Sequence, residues 1–200
     1  MKTTRAKTAK DREAIVRLFE GIAQAEGWQP GDQLRAHMER STYFGVFDGE
    51  RLVGGLQLVA TDEAGEIPTH QVWPELSAIE TPSLVLHAAT LAVLPEYRGK
   101  DSGAAFWSLG IALWRYCIER GVKTVYLEAT PKMLRCYRLL GWPLVVVGEL
   151  REHWGEPCYP ATLSVREVAG SLAERALASK VYRGIFTAAL QPTPILPVVA

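Results

Sequence analysis

The chain has 200 residues, and its 22 Lys plus Arg balance 22 Asp plus Glu. Hydrophobic residues make up 48%, enough for the core of one domain with or without an appendage. The balanced charge argues against a nucleic-acid protein, which carries a basic excess.

Three cysteines, Cys117, Cys136 and Cys158, form no CxxC pair. They indicate neither a disulfide framework nor a zinc site, and they read as buried free thiols in a reducing compartment. The polar opening "MKTTRAKTAKDREA" lacks the apolar centre of a secretory signal. No run reaches the roughly 18 apolar residues of a membrane span. A cytoplasmic chain is expected.

"KTTRAK" reads as a short strand. In residues 11–28, Ile15, Leu18, Phe19 and Ile22 recur at spacings of three and four, which predicts an amphipathic helix with Asp11 as its cap or first-turn acid. "PGD" breaks it, and a short helix follows in "QLRAHMER". Residues 42–61 form two β-rich runs around Asp48-Gly49, a hairpin signal. Residues 62–82 have loop chemistry, with one helical turn expected at 73–79. "SLVLHAATLAV" predicts a strand buried on both faces, ending before Pro95.

Residues 103–121 predict a helix with Trp107, Ile111, Trp114 and Ile118 on one face and Gly121 as its stop. It is apolar over much of its circumference, so burial on more than one side is expected. "VKTVYLEAT" is a strand and "KMLRCYRLLG" a short helix ended by glycine. "PLVVVG" and "CYPATLSV" are strands separated by a polar loop. Residues 166–190 predict an appended amphipathic helix carrying Leu172, Ala176, Leu177, Val181 and Ile185. The Pro-rich tail "QPTPILPVVA" is expected to be extended or loose.

The stretch "VLPEYRGKDSGAAFW" joins a strand to a helix through an Arg/Gly/Lys turn. A helix N-terminus has unpaired N–H groups and a positive dipole end, so phosphate binds there readily. On its own the turn serves equally as a solvated helix start.

"LAVLPEYRGKDSGAAFW" resembles the acyl-thioester-binding motif of the GNAT superfamily of acyltransferases, Arg/Gln-x-x-Gly-x-Gly/Ala at the start of the helix after the central strand. Arg98 and Gly103 match it, and Asp101 stands at the middle glycine. "MLRCYRLLGW" resembles the helix that carries the family's usual general acid. A narrower resemblance points to acyl-homoserine lactone synthases and long-chain N-acyl amino acid synthases. It is carried by "GERLVGGLQLVATDEAGEIPTHQVWPEL", by "PKMLRCYRLLGWPLVVVGELREHWGE" and by "EGW" at 26–28. Where those synthases carry Glu-x-x-Arg on the strand before the motif, this chain has His87 and Thr90, and Gln57 replaces an arginine.

The resemblance implies an α+β fold, an α/β sandwich with a mixed, mostly antiparallel central sheet flanked by helices and an extra C-terminal helix. Its boundaries are 1–165 for the acyltransferase domain and 166–200 for the C-terminal helix and tail. It implies an N-acyltransferase that moves an acyl group from acyl-CoA or an acyl carrier protein to a small-molecule amine, such as an amino acid or a homoserine-lactone-like compound. No permanently bound cofactor and no metal are expected, and a homodimer is left open. An acetyl-CoA-dependent N-acetyltransferase and a catalytically silent acyl-thioester-binding module are the alternatives.

Leu91, Ala92 and Val93 would pair with the pantetheine arm like an added strand, and the Val93 N–H would polarise the thioester carbonyl. Arg98, Gly99, Lys100, Asp101, Ser102, Gly103 and Ala104 would hold the phosphate end. Asp101 either caps the helix or, by repelling a CoA diphosphate, favours a carrier-protein donor. His87, with an ordinary pKa near 6.5, is the candidate general base. It aligns with the family's frequent catalytic glutamate. Glu80 is a second candidate, and Tyr137 is the candidate general acid. The six tryptophans either line an acyl tunnel or build the core, and His37, His70 and His153 are too scattered for a metal site.

Overall fold

The structure, a computed structural model, describes residues 1–191, the side chain of Ser102 aside. The expected extended tail falls on residues outside these. Thr8 opens the first helix, α1 (Ala9–Glu26), with a capping box: its hydroxyl accepts from the Asp11 N–H, and the Asp11 carboxylate accepts from the Thr8 N–H. Asp11 is thus the first-turn acid. Ile15, Phe19 and Ile22 form the buried face. A four-residue helix, α2 (Gln33–Ala36), follows.

The sheet comprises β1 (Lys2–Arg5), β2 (Ser41–Asp48), β3 (Arg51–Ala60), β4 (Val85–Val93), β5 (Thr124–Ala129), β6 (Val145–Val146), β7 (Arg151–His153) and β8 (Glu156–Ser164). Its order is β1-β2-β3-β4-β5-β8-β6, with β7 paired to β8. Among the described residues β4–β5 is the one parallel pair. This is the mixed, mostly antiparallel sheet expected. The remaining helices are α3 (Ala104–Arg120), α4 (Pro131–Leu139), α5 (Val165–Ala178) and α6 (Lys180–Leu190).

Several expectations are corrected. The helical turn of the long loop lies at Pro68–Gln71 instead of 73–79, where proline's fixed φ suits the first position. The polar loop before β8 contains β7. The hairpin turn is Gly49-Glu50, with Gly49 at φ 61°.

On α3, Leu109, Leu113 and Cys117 are buried, while Ile118 is 51% exposed. A helix apolar nearly all round gives periodicity little purchase on which face meets the sheet. Trp107 turns toward α6, edge-on to Tyr182 with ring centroids 5.8 Å apart. The single C-terminal helix is divided at Ser179, whose extended φ −135° and ψ 126° interrupt the 3.6-residue period. Leu172, Ala176 and Ile185 are therefore buried, but Leu177 is 83% and Val181 62% exposed. Cys117 and Cys158 are buried and Cys136 is exposed, and all three are free thiols.

Gly54 and Gly55 let other elements approach β3 closely. A Cβ on Gly55 would lie 2.8 Å from Ile15 Cγ2 and 2.9 Å from Phe19 Cε1, so α1 sits directly on the strand. This holds α1 beside β4, where the cleft opens.

Candidate active site

Strands β4 and β5 pair only from Val85, Leu86 and His87 to Thr124, Val125 and Tyr126. Beyond that point they diverge. On its other side β4 pairs with β3, where Gln57 meets Thr90 and Leu58 meets Ala88, so Ala89 is an extra residue. Such a bulge bends its strand and sharpens the twist. β8 meanwhile holds β5 in register through Ala129.

The gap is a cavity of about 400 Å³, lined by Ala88 to Val93 on one side and Leu127, Glu128 and Ala129 on the other. Its deep end is apolar, with buried Leu56, Leu113, Val125 and Leu163. One wall is aromatic: Tyr137 stacks on Trp142 at 5.2 Å, and Phe106 stacks on the same indole at 5.3 Å. Trp28, Arg98, Trp154 and Glu156 line its more exposed part.

The Leu94 N–H donates to the Val53 carbonyl at 2.9 Å. Antiparallel pairing alternates, so Leu91 and Val93 direct their own N–H and C=O groups away from β3, toward the open edge. The same alternation turns the Ala92 backbone toward β3. Of the three residues expected to meet a pantetheine arm, two turn their backbone groups to the open edge, where the Val93 carbonyl already accepts from Arg98 Nε.

The buried polar centre differs from the expected one. His87 is 2% exposed and does not line the cavity. Its Nε2 lies 2.8 and 3.1 Å from the two carboxylate oxygens of Glu128, which does line it. The Thr69 hydroxyl donates to Glu128 Oε1 at 2.6 Å. Burial pushes the Glu128 carboxyl up, but the charge and hydrogen bond of His87, then His153 and Thr69, hold it below the usual carboxylate range. The carboxylate facing the cavity is thus ionised, with the imidazole behind it. Glu80 lies exposed in the loop before β4 and does not line the cavity.

Tyr137 lines the cavity as expected, and burial, with a smaller contribution from Cys136, pushes its phenol up to about 12. It stays protonated through the neutral range. Thr130 caps α4 by accepting from the Met133 N–H and so fixes the helix that presents it.

In the turn, Arg98 lines the cavity. Its Nε donates to the Val93 carbonyl at 3.0 Å, and its guanidinium pairs with Glu26 at 2.8 Å. Gly99, Lys100, Asp101, Gly103 and Ala104 do not line the cavity. Lys100 turns aside to Asp48 at 3.0 Å and over the Tyr97 ring at 4.5 Å. The expected Asp101 cap is absent: neither helical segment starting here has a side-chain cap bond. Asp101 instead has φ 49°. That left-handed conformation belongs to glycine by default, and aspartate is among the few residues that tolerate it. Gly103, at φ 78°, begins α3. The aspartate therefore takes a backbone conformation that glycine adopts freely.

The tryptophans divide between the two readings. Trp28, Trp142 and Trp154 line the cavity, and Trp73, Trp107 and Trp114 do not. His70 pairs with Glu66 at 2.6 Å, and His37 contacts Arg40 and Gln71. Among the described residues no three His, Cys, Asp or Glu side chains are grouped to hold a metal ion. No helix among them is long and apolar enough to cross a membrane.

Sequence reasoning missed Glu128, Thr69, His153 and Glu156. Glu128 carried a signal: it is a lone acid in "TVYLEA", an otherwise uncharged strand.

The comparisons agree with this geometry. FeeM, an N-acyl amino acid synthase from uncultured soil microbes, superposes with a TM-score of 0.68 at 19% identity, covering 85% of this chain and 93% of its own. The CoA-dependent acyl-homoserine lactone synthase BjaI, solved with SAM and isopentyl-CoA, gives 0.61 at 17% identity over 83% and 82%. A putative N-acetyltransferase from Lactobacillus plantarum gives 0.59 at 16% identity over 82% and 97%. No curated protein matches the chain. The acetyltransferase (GNAT) family model matches residues 12–142, a span from α1 through the diverging strands to Trp142. The chain with this split sheet belongs to the GNAT family of acyltransferases.

Proposed function

We propose that this acyltransferase moves an acyl group longer than acetyl from a pantetheine thioester to the amine of a small acceptor. One observation carries the reading: the diverging strands open an apolar cavity that both Glu128 and Tyr137 line. The pantetheine arm lies along the open edge of β4, pairing with Leu91 and Val93 like an added strand. The Val93 N–H polarises the thioester carbonyl. The acyl chain fills the deep apolar end beside Trp142.

The acceptor nitrogen attacks the carbonyl carbon, and the carbon–sulfur bond breaks. The amine's proton leaves through Glu128, positioned by His87 and Thr69, and the departing thiolate takes the proton of Tyr137. Arg98 meets the donor phosphate, exchanging its pairing with Glu26. The name of FeeM and the CoA ligand of BjaI support an acyl-thioester donor and an amine acceptor.

The test is thiol release from acetyl-CoA, octanoyl-CoA and octanoyl carrier protein with pooled amines. Octanoyl donors should outpace acetyl-CoA, and Glu128→Gln should lower kcat by about 10²- to 10⁴-fold. Preference for acetyl-CoA returns the chain to plain acetyl transfer. Donor binding with no thiol release makes it a silent binding module.

A further inference from the structure

The charged groups around the cavity constrain what kind of amine it accepts. Among the described residues Arg98 is the one Lys or Arg that lines it, and in the acyltransfer reading this guanidinium serves the donor phosphate. His153 also lines the cavity, and burial, opposed by Glu128, holds its imidazole below the ordinary value. Two carboxylates remain. Glu128 lies inside with His87, and Glu156 is exposed where β8 begins, with no ion pair among the described residues.

Strand alternation places Glu156, Cys158 and Pro160 on one face, and Pro160 pairs with Glu128. Cys158 thus lies on the wall between the two acids. Its thiol, pushed up by burial first, is pushed further by Glu156 and Glu128. Four residues of strand separate Glu156 from Pro160, about 14 Å. Two glutamate side chains and a carbon chain between two amines bridge such a span. Trp28 and Trp154 line the same part of the cavity as Glu156, and indole faces attract cations.

A further group awaits a partner. Thr90 is 5% exposed and lines the cavity, yet its hydroxyl has no hydrogen-bond partner among the described residues. Buried polar groups are normally satisfied, so this one is suited to a polar atom of a ligand.

We infer that the acceptor is a diamine without a carboxylate, its reacting amine between Glu128 and Thr90 and its distal ammonium at Glu156 beside Trp28 and Trp154. This rests on the acyltransfer reading. An amino-acid acceptor would set its carboxylate against two acids while Arg98 is engaged by the donor phosphate, a like-charge juxtaposition that is costly.

Calorimetric titration of the full chain with cadaverine, spermidine, n-pentylamine and lysine tests the inference. The two polyamines should bind more tightly than n-pentylamine, and lysine most weakly. Glu156→Gln should weaken cadaverine roughly fivefold at low salt, with a smaller change for n-pentylamine. Raised salt should shrink the difference. An unchanged urea midpoint would exclude misfolding of the variant. Equal binding of n-pentylamine and the polyamines, or tighter binding of lysine, overturns the inference. Thiol release, run in parallel, separates the two claims. Release with monoamines and lysine as fast as with polyamines leaves acyl transfer standing and sinks the diamine. Selective polyamine binding with no release from any donor does the reverse.

Discussion

At the residue scale the central fact is a buried, hydrogen-bonded pair of Glu128 and His87, whose carboxylate faces the cavity and whose imidazole does not. Removing one partner of such a pair leaves an uncompensated buried charge. For Glu128 the sign is clear. Burial raises its pKa, and His87 does most to lower it. Ionised Glu128 therefore persists to lower pH in the wild type than it would without His87. In His87→Gln, burial acts with less opposition, and the acidic limb of the kcat/KM profile should move to higher pH. A His87 that only packs would lower activity and leave the limb in place. Tyr137 titrates at the other extreme: its phenol, raised to about 12, keeps its proton throughout an ordinary pH profile. Asp101 shows how a motif position is constrained through its backbone. Its side chain caps nothing, and its left-handed backbone accounts for which residues are tolerated there.

At the element scale the cleft depends on β4 being bent and held. The extra residue Ala89 bends it, and Gly55 of β3 lets α1 clamp the strand beside it. Gly55→Ala removes some backbone entropy from the unfolded chain, which alone would stabilise the fold by under about 1 kcal/mol. The new methyl group, however, would press on Ile15 and Phe19, both buried. Overpacking of this kind costs about 1–3 kcal/mol. A net loss is therefore expected, read as a lower urea midpoint with the slope unchanged.

At the scale of the whole molecule, the C-terminal helices share the core of the sheet. Val168, Leu172 and Ala189 belong to the same cluster as Leu109 and Leu163. Arg115 of α3 donates to the Ala188 carbonyl at 2.7 Å, tying α6 to the helix that follows the donor turn. Ending the chain at Ser179 would expose the sites filled by Ile185 and Ala189. It should lower stability by at least about 2 kcal/mol, judged from the transfer energy of one buried Ile, with Trp107 fluorescence shifting toward that of a solvated indole.

The order of strands and helices was legible in the chain because it follows from local causes. Hydrophobic period, glycine stops, the first-turn acid Asp11 and the hairpin glycine each act within a few residues. The donor turn was legible for the same reason, since strand, Arg98 and Gly103 adjoin in sequence. Tertiary structure alone decided which carboxylate serves the cavity. Glu128 meets His87 across 41 residues and Thr69 across 59, and nothing local to any of them specifies that meeting. It likewise decided the buried face of α3, because an almost wholly apolar helix is oriented by its neighbours and not by its own period.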